Sequence, residues 1–593
     1  MRGYRKNGMF TAIAKTRAAG GHTPARRLPA GAALAVALAA AMALAGCGGA
    51  AGGVETGGED GRQDAGQGAT GYAYAAEDLD SAWDEQASTS IRLEGAAASV
   101  DGEGALYSDG AVTIGSAGSY VISGSLDDGQ IVVDAGKGDI VRLVLKGASV
   151  YNADGPALYA KQSAKMVLTL ADGTENTFED GAAYNLAPGE DEPDAAIFAD
   201  DSLSINGSGA LRVKGNYMDG IRAKDILAVT GGDIAVEAVS DGLHGRDGVA
   251  MLDGDIVIKA GNDGIKSNND EEGAKGFVAL DGGSCGIEAE NDGVQANGSL
   301  VVLGGAFSVQ AGDDAFHADG ALRVEGGEID VAGCYEGLEG ATVDIYGGSI
   351  RVKADDDAIN AAGGSDESDG PGGAGGDSFD PGGGYYVRVA GGFIDALGGR
   401  DGIDSNGDIY IEGGDLRLSA QSMGMEGAID LDGRLVITGG RLVAAGSVAT
   451  PSSDSTQASL LVSHASAREE GSVIELRDEA GATVLEYVSR MGYSASAFSS
   501  PDMAEGGSYS LFIDGEMVAE LALSGTATAV SDDGGPYAPA GGRGGPGGFA
   551  RPEGGTRPGG GLGPGGGPGT SSPGGISAPE GGERRAAAPP QTQ

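Results

Sequence analysis

The chain has 593 residues, far more than one compact hydrophobic core needs, so several regions are expected. Its 87 acidic residues outnumber the 38 Lys and Arg residues, and the formal net charge is −49. Such a charge argues against nucleic acid and anionic membrane surfaces as binding partners, because both would be repelled. Glycine is abundant, but no Gly-X-Y period exists, which excludes collagen.

Residues 1–46 have the pattern of an export signal. A basic leader is followed by a short apolar run from Ala30 to Ala45, which is typical of a signal peptide rather than a membrane span. The tripeptide Leu-Ala-Gly directly before Cys47 resembles the lipobox of bacterial lipoproteins, in which the cysteine is lipidated after cleavage. We therefore predict a lipid anchor on Cys47 that holds the protein to the outer face of the bacterial cytoplasmic membrane or to the cell surface. An ordinary signal peptide with a chance cysteine is the alternative.

The next two regions differ in their patterning. Residues 47–76 are rich in Gly, Ala and acidic residues, the composition of a flexible tether. Residues 77–128 alternate like β-strands but without a fixed period, which indicates an N-terminal β cap.

A short phrase then recurs, in which an acidic or small residue, usually Asp-Gly, precedes an aliphatic residue. Five of the ten intervals between these phrases are 22 residues, which indicates a solenoid whose repeats stack in one direction. The phrases begin at Asp154, Asp194, Asp219, Asp241, Asp263, Asp292, Asp314, Glu336, Asp357, Asp401 and, in degenerate form, Met423.

Two further alternating runs complete each repeat. The first is a Gly-Gly or Asp-Gly pair followed by alternating apolar residues, as in residues 326–331. The second is a short alternating run that lies between the acidic phrase and this Gly-Gly phrase. Three short strands per repeat, separated by Gly-rich turns, predict an all-β fold: a parallel β-helix of about 22 residues per coil over residues 129–447. Cys285 occupies a core slot and Cys334 a loop, so no disulfide is expected. Residues 448–531 are predicted to form a C-terminal β cap, and the Gly/Pro-rich residues 532–593 a disordered tail.

Stacking makes each recurring acidic residue part of a vertical ladder. In the tetrapeptide Asp-Gly-Ile-X the aliphatic residue points inward, and the acidic residue and X are expected to face solvent. His244 and His317 are therefore expected at the surface, too far apart to share a metal. The residue X changes from basic to acidic along the chain, through Arg222, His244, Lys266, Gln295, His317, Glu339, Asn360, Asp404 and Glu426.

Carboxylates stacked about 5 Å apart would repel one another, by roughly 3 kcal/mol per pair at an effective dielectric of about 20. Calcium takes about six to eight oxygen ligands and would reverse this repulsion. For Asp154, Asp219 and Asp241 a turn-capping hydrogen bond is the alternative explanation. The predicted Ca2+ ligands are Asp263, Asp292, Asp313, Asp314, Glu336, Glu339, Asp356, Asp357, Asn360, Asp401 and Asp404.

Several long segments resemble a known family. DEPDAAIFADDSLSINGSG from Asp191, DGIKSNND from Asp263, DDDAINAAGG from Asp355 and DGIDSNGDIYIEGG from Asp401 resemble the bacterial carbohydrate-binding, polysaccharide-lyase-like β-helix family, over about residues 77–530. The resemblance implies a right-handed parallel β-helix, surface attachment, calcium, and binding of cellulose- or pectin-type polysaccharide. In one related lyase group, paired Asp residues and an Asp three residues on hold calcium, and a Lys acts as base. Asp356-Asp357 with Asn360, and Asp401 with Asp404, resemble the ligand half of that arrangement, although Asn360 and Met423 depart from it.

Together these patterns predict a monomeric surface lipoprotein that binds a polysaccharide, either a polyuronate or a β-glucan, through a calcium-loaded acidic ladder. For a polyuronate, calcium would bridge two acidic partners that otherwise repel. One alternative is a calcium-dependent lyase acting by β-elimination, with Lys266 as base and Arg222 or Arg246 as charge partner. A structural adhesin is the second alternative. The predicted sugar-stacking residues are Tyr335, Tyr385, Tyr386 and Tyr410.

Overall fold

The computed structural model describes residues 72–189, 191–271, 274–362, 384–421, 427–535 and 537. The chain divides into residues 1–67 and 68–593, and all described residues belong to the second unit. The predicted signal peptide, Cys47, most of the tether, the rung at Met423 and nearly all of the tail lie outside the described residues. They stay predictions, as do the domain boundaries. Within the described ranges, no helix is both long enough and apolar enough to cross a membrane.

The described part is all-β apart from a short helix, α1 (Ala76–Leu79). The first strands are β1 Thr89–Gly95, β2 Ala98–Asp101, β3 Ala105–Ser108, β4 Ala111–Ile114, β5 Gly118–Leu126, β6 Gln130–Asp134, β7 Ile140–Asn152, β8 Leu158–Gln162, β9 Lys165–Leu170 and β10 Glu175–Asp180. The middle strands are β11 Ala195–Ala199, β12 Ser202–Gly207, β13 Ala210–Gly215, β14 Asp219–Ala223, β15 Ile226–Ala238, β16 Leu243–Gly245, β17 Gly248–Ala260, β18 Ile265–Ser267, β19 Phe277–Leu280, β20 Ser284–Ala289, β21 Val294–Ala296, β22 Leu300–Val302, β23 Ala306–Gln310, β24 Phe316–Val324, β25 Glu328–Cys334, β26 Leu338–Ile345, β27 Ser349–Ala354 and β28 Ile359–Ala361. The last strands are β29 Tyr386–Val389, β30 Phe393–Leu397, β31 Asp404–Ser405, β32 Asp408–Ile411, β33 Asp415–Ser419, β34 Leu435–Ile437, β35 Arg441–Ala445, β36 Ser459–Arg468, β37 Val473–Asp478, β38 Thr483–Val488, β39 Tyr493–Ser499, β40 Ser508–Ile513, β41 Glu516–Ala522 and β42 Ala527–Ser531.

The core consists of apolar residues that stack from one repeat to the next. Each Gly-Gly phrase pairs in parallel with the same phrase of the following repeat, so like residues lie beside like. Cys285 lies in this core, as predicted, whereas Cys334 is the buried last residue of β25 rather than a loop residue. One column of paired residues runs through Ile234, Ile256, Cys285, Phe307, Ile329, Ile350, Ile394, Leu416 and Leu442.

The predicted right-handed parallel β-helix of separate short strands is wrong. The main sheet has 38 strands and contains a closed six-stranded parallel barrel, with many further strands hydrogen-bonded outside it. The closed ring runs β7, β9, β12, β15, β13, β10 and back to β7. It closes because β7 and β15, each 13 residues long, pass through Gly147 and Gly232 without a break and so pair on two sides. Both glycines have positive φ, a conformation that bends the strand here. The sequence pattern predicts instead that such glycines end the strand in a turn.

Residues 72–85, named here the strap, lie across the outer face of this sheet. The ring of Tyr72 stacks on Phe277 with 5.8 Å between centroids. The buried carboxylate of Asp78 accepts a hydrogen bond from Lys165 Nζ at 2.7 Å. The strap therefore spans from β19 back to β9 and ties several repeats together.

The C-terminal strands build a second core. Strands β38, β37, β40 and β41 form a four-stranded antiparallel sheet. Strand β39 pairs antiparallel with β35, the last Gly-Gly strand of the repeats, and with β36. Strand β35 would otherwise be the open edge of the repeat sheet, and β39 pairs with it.

Candidate cation and carbohydrate site

The recurring acidic residues form a stacked set, named here the acidic column. In most rungs, one carboxylate oxygen accepts a hydrogen bond from the backbone N–H at the equivalent position of the next repeat, at 2.5 to 3.2 Å. All are buried, at most 9% exposed, so the expectation that they face solvent is wrong. The cause is this hydrogen bond across repeats, which draws each carboxylate inward. The acidic column consists of Asp219, Asp241, Asp263, Asp292, Asp314, Glu336, Asp357 and Asp401.

The X residues form a second stacked set, named here the partner column. They pair in parallel from one repeat to the next, which aligns them vertically beside the acidic column. The partner column consists of Arg222, His244, Lys266, Gln295, His317, Glu339, Asn360 and Asp404.

In the N-terminal rungs, protein cations neutralise the acidic column. His244 Nδ1 lies 2.9 Å from Asp219 Oδ2 and 3.4 Å from Asp241 Oδ2. Lys266 Nζ lies 2.5 Å from Asp263 Oδ2. Of the predicted Ca2+ ligands, Asp263 thus already has a cationic partner.

His244 and His317 are buried, 3% and 2% exposed, so their predicted surface position is wrong. His317 Nδ1 lies 2.7 Å from Glu339 Oε2 and 3.1 Å from Asp314 Oδ2, and its Nε2 lies 3.1 Å from Asp319 Oδ1. Burial alone would lower the pKa of His317, but the hydrogen bonds to these three carboxylates raise it well above its ordinary value. A protonated ring donates from both nitrogens and offers no lone pair to a metal.

The rungs beyond Glu336 have a different chemistry. Oxygens of Asp401, Asp404 and Asp430 lie within 4.8 Å of one another; Asp401 is buried and the other two are half-buried. Burial raises the pKa of Asp357 well above its ordinary value, and the charges of Asp404 and Asp356 raise it further. Burial and the neighbouring charges of Glu339 and Asp314 likewise raise the pKa of Glu336. Asp357 and Glu336 therefore resist ionisation.

Asp430 was not predicted from the sequence. Ile403 N donates to the carbonyl of Ala428, and Asp430 N donates to the carbonyl of Ile403. The rung above Asp401 is therefore Gly427-Ala-Ile-Asp430, whereas Met423 lies outside the described residues. The tetrapeptide itself could have indicated this rung, because its last two residues, Ile-Asp, match those of Asp401-Gly-Ile-Asp404. However, it begins 26 residues after Asp401 rather than 22.

Asn360 supplies an independent sign that a ligand belongs beside this cluster. It is fully buried and pairs with Asp404 in the partner column. Its Nδ2 donates to Glu336 Oε2 at 2.8 Å, but its Oδ1 has no hydrogen-bond partner among the described residues. A buried amide oxygen without a partner costs about 1–3 kcal/mol. Carboxylate and amide oxygens are the ligands that calcium prefers, so this donor set fits Ca2+.

Other predicted ligands lie apart from this cluster. Asp356 is held by Arg400, whose Nε lies 3.2 Å from Asp356 Oδ1. Asp292 Oδ1 accepts the backbone N–H of Asp314 at 3.0 Å. Asp313 is half-buried next to Asp314 and contributes its backbone to the repeat pairing.

Two of the predicted tyrosines meet on neighbouring strands, Tyr386 at the start of β29 and Tyr410 in β32, which pairs with it. The rings of Tyr386 and Tyr410 are 6.3 Å apart, and the guanidinium of Arg388 lies 5.2 and 5.6 Å from their centroids. The Tyr410 hydroxyl donates to Asp408 Oδ2 at 2.7 Å, and Arg434 contacts the same oxygen at 2.8 Å. Asp408 begins β32 four residues after Asp404, so Tyr410 lies in the same repeat as Asp401 and Asp404. Tyr386, Arg388 and Tyr410 are named here the aromatic patch.

Tyr385 and Tyr335 stand outside the pair of rings. Tyr385 is half-buried directly before β29, and its carbonyl accepts the N–H of Asp408 at 3.3 Å. Tyr335 is 49% exposed two repeats away, with its hydroxyl near Asp356.

The residues of the lyase alternative lie at the other end of the acidic column. Burial would lower the pKa of Lys266, but Asp241 and Asp263 outweigh it and raise the pKa, so the amine keeps its proton. Arg246 lies 3.9 Å from Glu271 at the surface. A general base must be deprotonated and within reach of its substrate, which this arrangement does not provide.

Comparisons with known proteins give three results. The sequence model of a family described as carbohydrate-binding domain-containing protein matches residues 108–370 and 312–467, together more than half of the chain. A carbohydrate-binding domain-containing protein from Acetivibrio thermocellus is 37% identical over 137 residues, which are 23% of this chain and 48% of the relative. The chain thus matches about half the length of that relative. The structure of the polysaccharide lyase-like protein from C. thermocellum, a gadolinium derivative, is 34% identical, with a TM-score of 0.40 over 40% of this chain and 96% of that one.

Proposed function

Because the chain belongs to the family of carbohydrate-binding domain-containing proteins, we propose that it binds polysaccharide at the Asp401, Asp404 and Asp430 cluster. The observation that carries this proposal is the convergence of three carboxylates, one of them on Asp404, which pairs with Asn360; within the described ranges, the buried Asn360 Oδ1 has no hydrogen-bond partner. Asp401, Asp404, Asp430 and Asn360 would hold a Ca2+ ion. When bound, the ion would supply positive charge that attracts the carboxylate and hydroxyl oxygens of a glycan.

A polyuronate is the glycan that this surface suits best. The net charge of −49 repels an acidic chain, so a cation must lie between the two partners. Nearby, Arg388 lies over the rings of Tyr386 and Tyr410. Arg388 and Arg434 are cationic groups paired with Asp344 and Asp408. Because both rings are half-buried and their hydroxyls are engaged, they do not form the broad flat platform that a cellulose surface needs.

The test is retention of the full chain on immobilised polygalacturonate, with calcium and then with EDTA. Asp430→Asn is expected to weaken retention in calcium about tenfold or more, since a charged ligand is lost. Asp432→Asn is the matched control, because it removes the same charge from an exposed residue two positions away. Equal retention in calcium and EDTA, or equal effects of the two substitutions, would contradict the calcium site.

Retention on other immobilised glycans distinguishes the alternative functions. Retention on cellulose but not on polygalacturonate would assign a β-glucan, and retention on neither would favour an adhesin. Release of unsaturated, ultraviolet-absorbing product would show a lyase. We also propose attachment through Cys47, on the Leu-Ala-Gly-Cys sequence; a Cys47→Ala chain that still fractionates with membranes would contradict it.

A further inference from the structure

A cleft lies where the C-terminal strands meet the last repeats. Its volume is about 320 Å³, and it shares no lining residue with the acidic column or the aromatic patch. The segments that line it follow β34 and β39 and precede β36 and β42. The side chains that matter for binding are Thr438, Thr456, Thr526, Gln457, Met503 and Glu505.

The rim of the cleft is made of hydroxyl groups that are available to a ligand. Thr438 and Thr456 are exposed and Thr526 is half-buried. Within the described ranges, none of the three side-chain hydroxyls makes a hydrogen bond to the protein. Each can both donate and accept, as a sugar hydroxyl can, so the two kinds of group are complementary.

The floor of the cleft is fixed and partly apolar. Gln457 Nε2 donates to the carbonyl of Gly440 and to Ser499 Oγ, each at 2.9 Å, which holds the Gln457 amide in place. The Met503 side chain is 5% exposed and provides an apolar surface beside it. A ligand with one C–H face and several hydroxyls would satisfy both the floor and the rim.

The charge and the volume of the cleft limit which ligands it can bind. Among the residues that line the cleft, the charged one is Glu505, an exposed carboxylate that repels anions and alone cannot build a cation site. The volume is at the lower end of small-molecule sites, which are about 300–1,000 Å³. It has room for about one or two sugar rings rather than a continuous chain.

We propose that this cleft binds the end or a side branch of a neutral saccharide, without calcium. The inference rests on the proposed carbohydrate function for its ligand class, but not on the cation cluster or on a polyuronate. It gives the protein a second binding point, at the boundary of its two hydrophobic cores.

The experiment uses the full chain in EDTA with glucose, galactose and cellobiose as probes. Saturation-transfer NMR detects contact, and calorimetry gives Kd. Thr456→Val combined with Thr526→Val is expected to weaken binding about tenfold, the effect of two lost neutral hydrogen bonds. Ser453→Ala is the control, since Ser453 is exposed in the same loop but does not line the cleft. Because the two threonines lie at the surface, both variants are expected to keep the wild-type amide NMR spectrum.

Two outcomes would overturn the proposal. One is that none of the three sugars binds in EDTA. The other is that the double valine variant binds as well as the wild type. The result also separates this site from the cation cluster: Asp430→Asn is expected to keep sugar binding in EDTA while losing retention on polygalacturonate in calcium, and the double valine variant the reverse.

Discussion

At the scale of single residues, most carboxylates of the acidic column have two uses. One oxygen accepts the N–H of the next repeat, as Asp241 Oδ1 does from Asp263 N at 3.1 Å. The other oxygen faces the partner column, where it meets His244 or Lys266 in the early rungs. The identity of the partner residue therefore decides whether the partner column contributes a protein cation to a rung.

His244 offers a test of the closed rungs. Burial would lower its pKa, but the hydrogen bond with Asp219 and the charges of Asp219 and Asp241 outweigh burial and raise the pKa. A raised folded pKa means that the stabilisation is complete below the unfolded pKa of about 6.5 and is lost as pH rises through the folded value. We expect His244→Asn to lower the free energy of unfolding by about 1.5–3 kcal/mol at acidic pH, and by less at alkaline pH. Denaturant midpoints measured across this pH range check it.

His464 provides the opposite control. Burial outweighs the contact with Asp532 and lowers the pKa of His464, so its contribution is present above the unfolded pKa and is lost as pH falls. The His464→Asn difference should therefore shrink towards acidic pH. If both substitutions showed the same pH trend, the charge assigned to His244 would be wrong.

At the scale of elements, the strap is held by the contacts of one buried residue and by exposed ion pairs. Asp78 is fully buried between Lys165 and Ser204, and its carbonyl accepts Thr230 Oγ1 at 2.6 Å. By contrast, Glu85 pairs with Lys146 at 2.8 Å with both side chains largely exposed. Burial, not the number of ion pairs, therefore decides how firmly the strap is attached.

Asp78→Ala should release the strap. Removing one partner of a buried charge pair costs about 3–5 kcal/mol. Here Lys165 would lose its main partner at a site that is largely shielded from water. Glu85→Ala is the matched control and should cost at most about 1 kcal/mol. Hydrogen exchange of β9 and β12 measures both effects locally, and we expect faster exchange only for Asp78→Ala. Equal exchange in the two variants would show that the strap adds little to the sheet.

At the scale of the whole molecule, the repeat interval predicted which residues stack but not how the strands continue. Ile221, Leu243 and Ile265 pair with one another as the interval predicts. The interval could not reveal that Gly147 and Gly232 bend strands that stay continuous, since a glycine with positive φ serves a bend and a break equally well. Nor could it place Asp430, because the rung of Asp430 follows after 26 residues and begins with Gly427 instead of an acidic residue. The burial of His244 and His317 depends on carboxylates from neighbouring repeats, which no single repeat contains.

The C-terminal strands protect the end of the repeat sheet, and a shortened chain tests this. In a chain that ends at residue 447, β35 would lose β39 and expose its N–H and C=O groups, together with the buried side chain of Val443. An open, apolar edge strand pairs with other copies, so we expect the shortened chain to self-associate while the full chain stays monomeric. Val443→Lys in the shortened chain should restore the monomer, because a charge on an edge strand opposes pairing. Light scattering after size-exclusion chromatography measures all three proteins. A monomeric shortened chain without the lysine would mean that the C-terminal strands serve a purpose other than closing this edge.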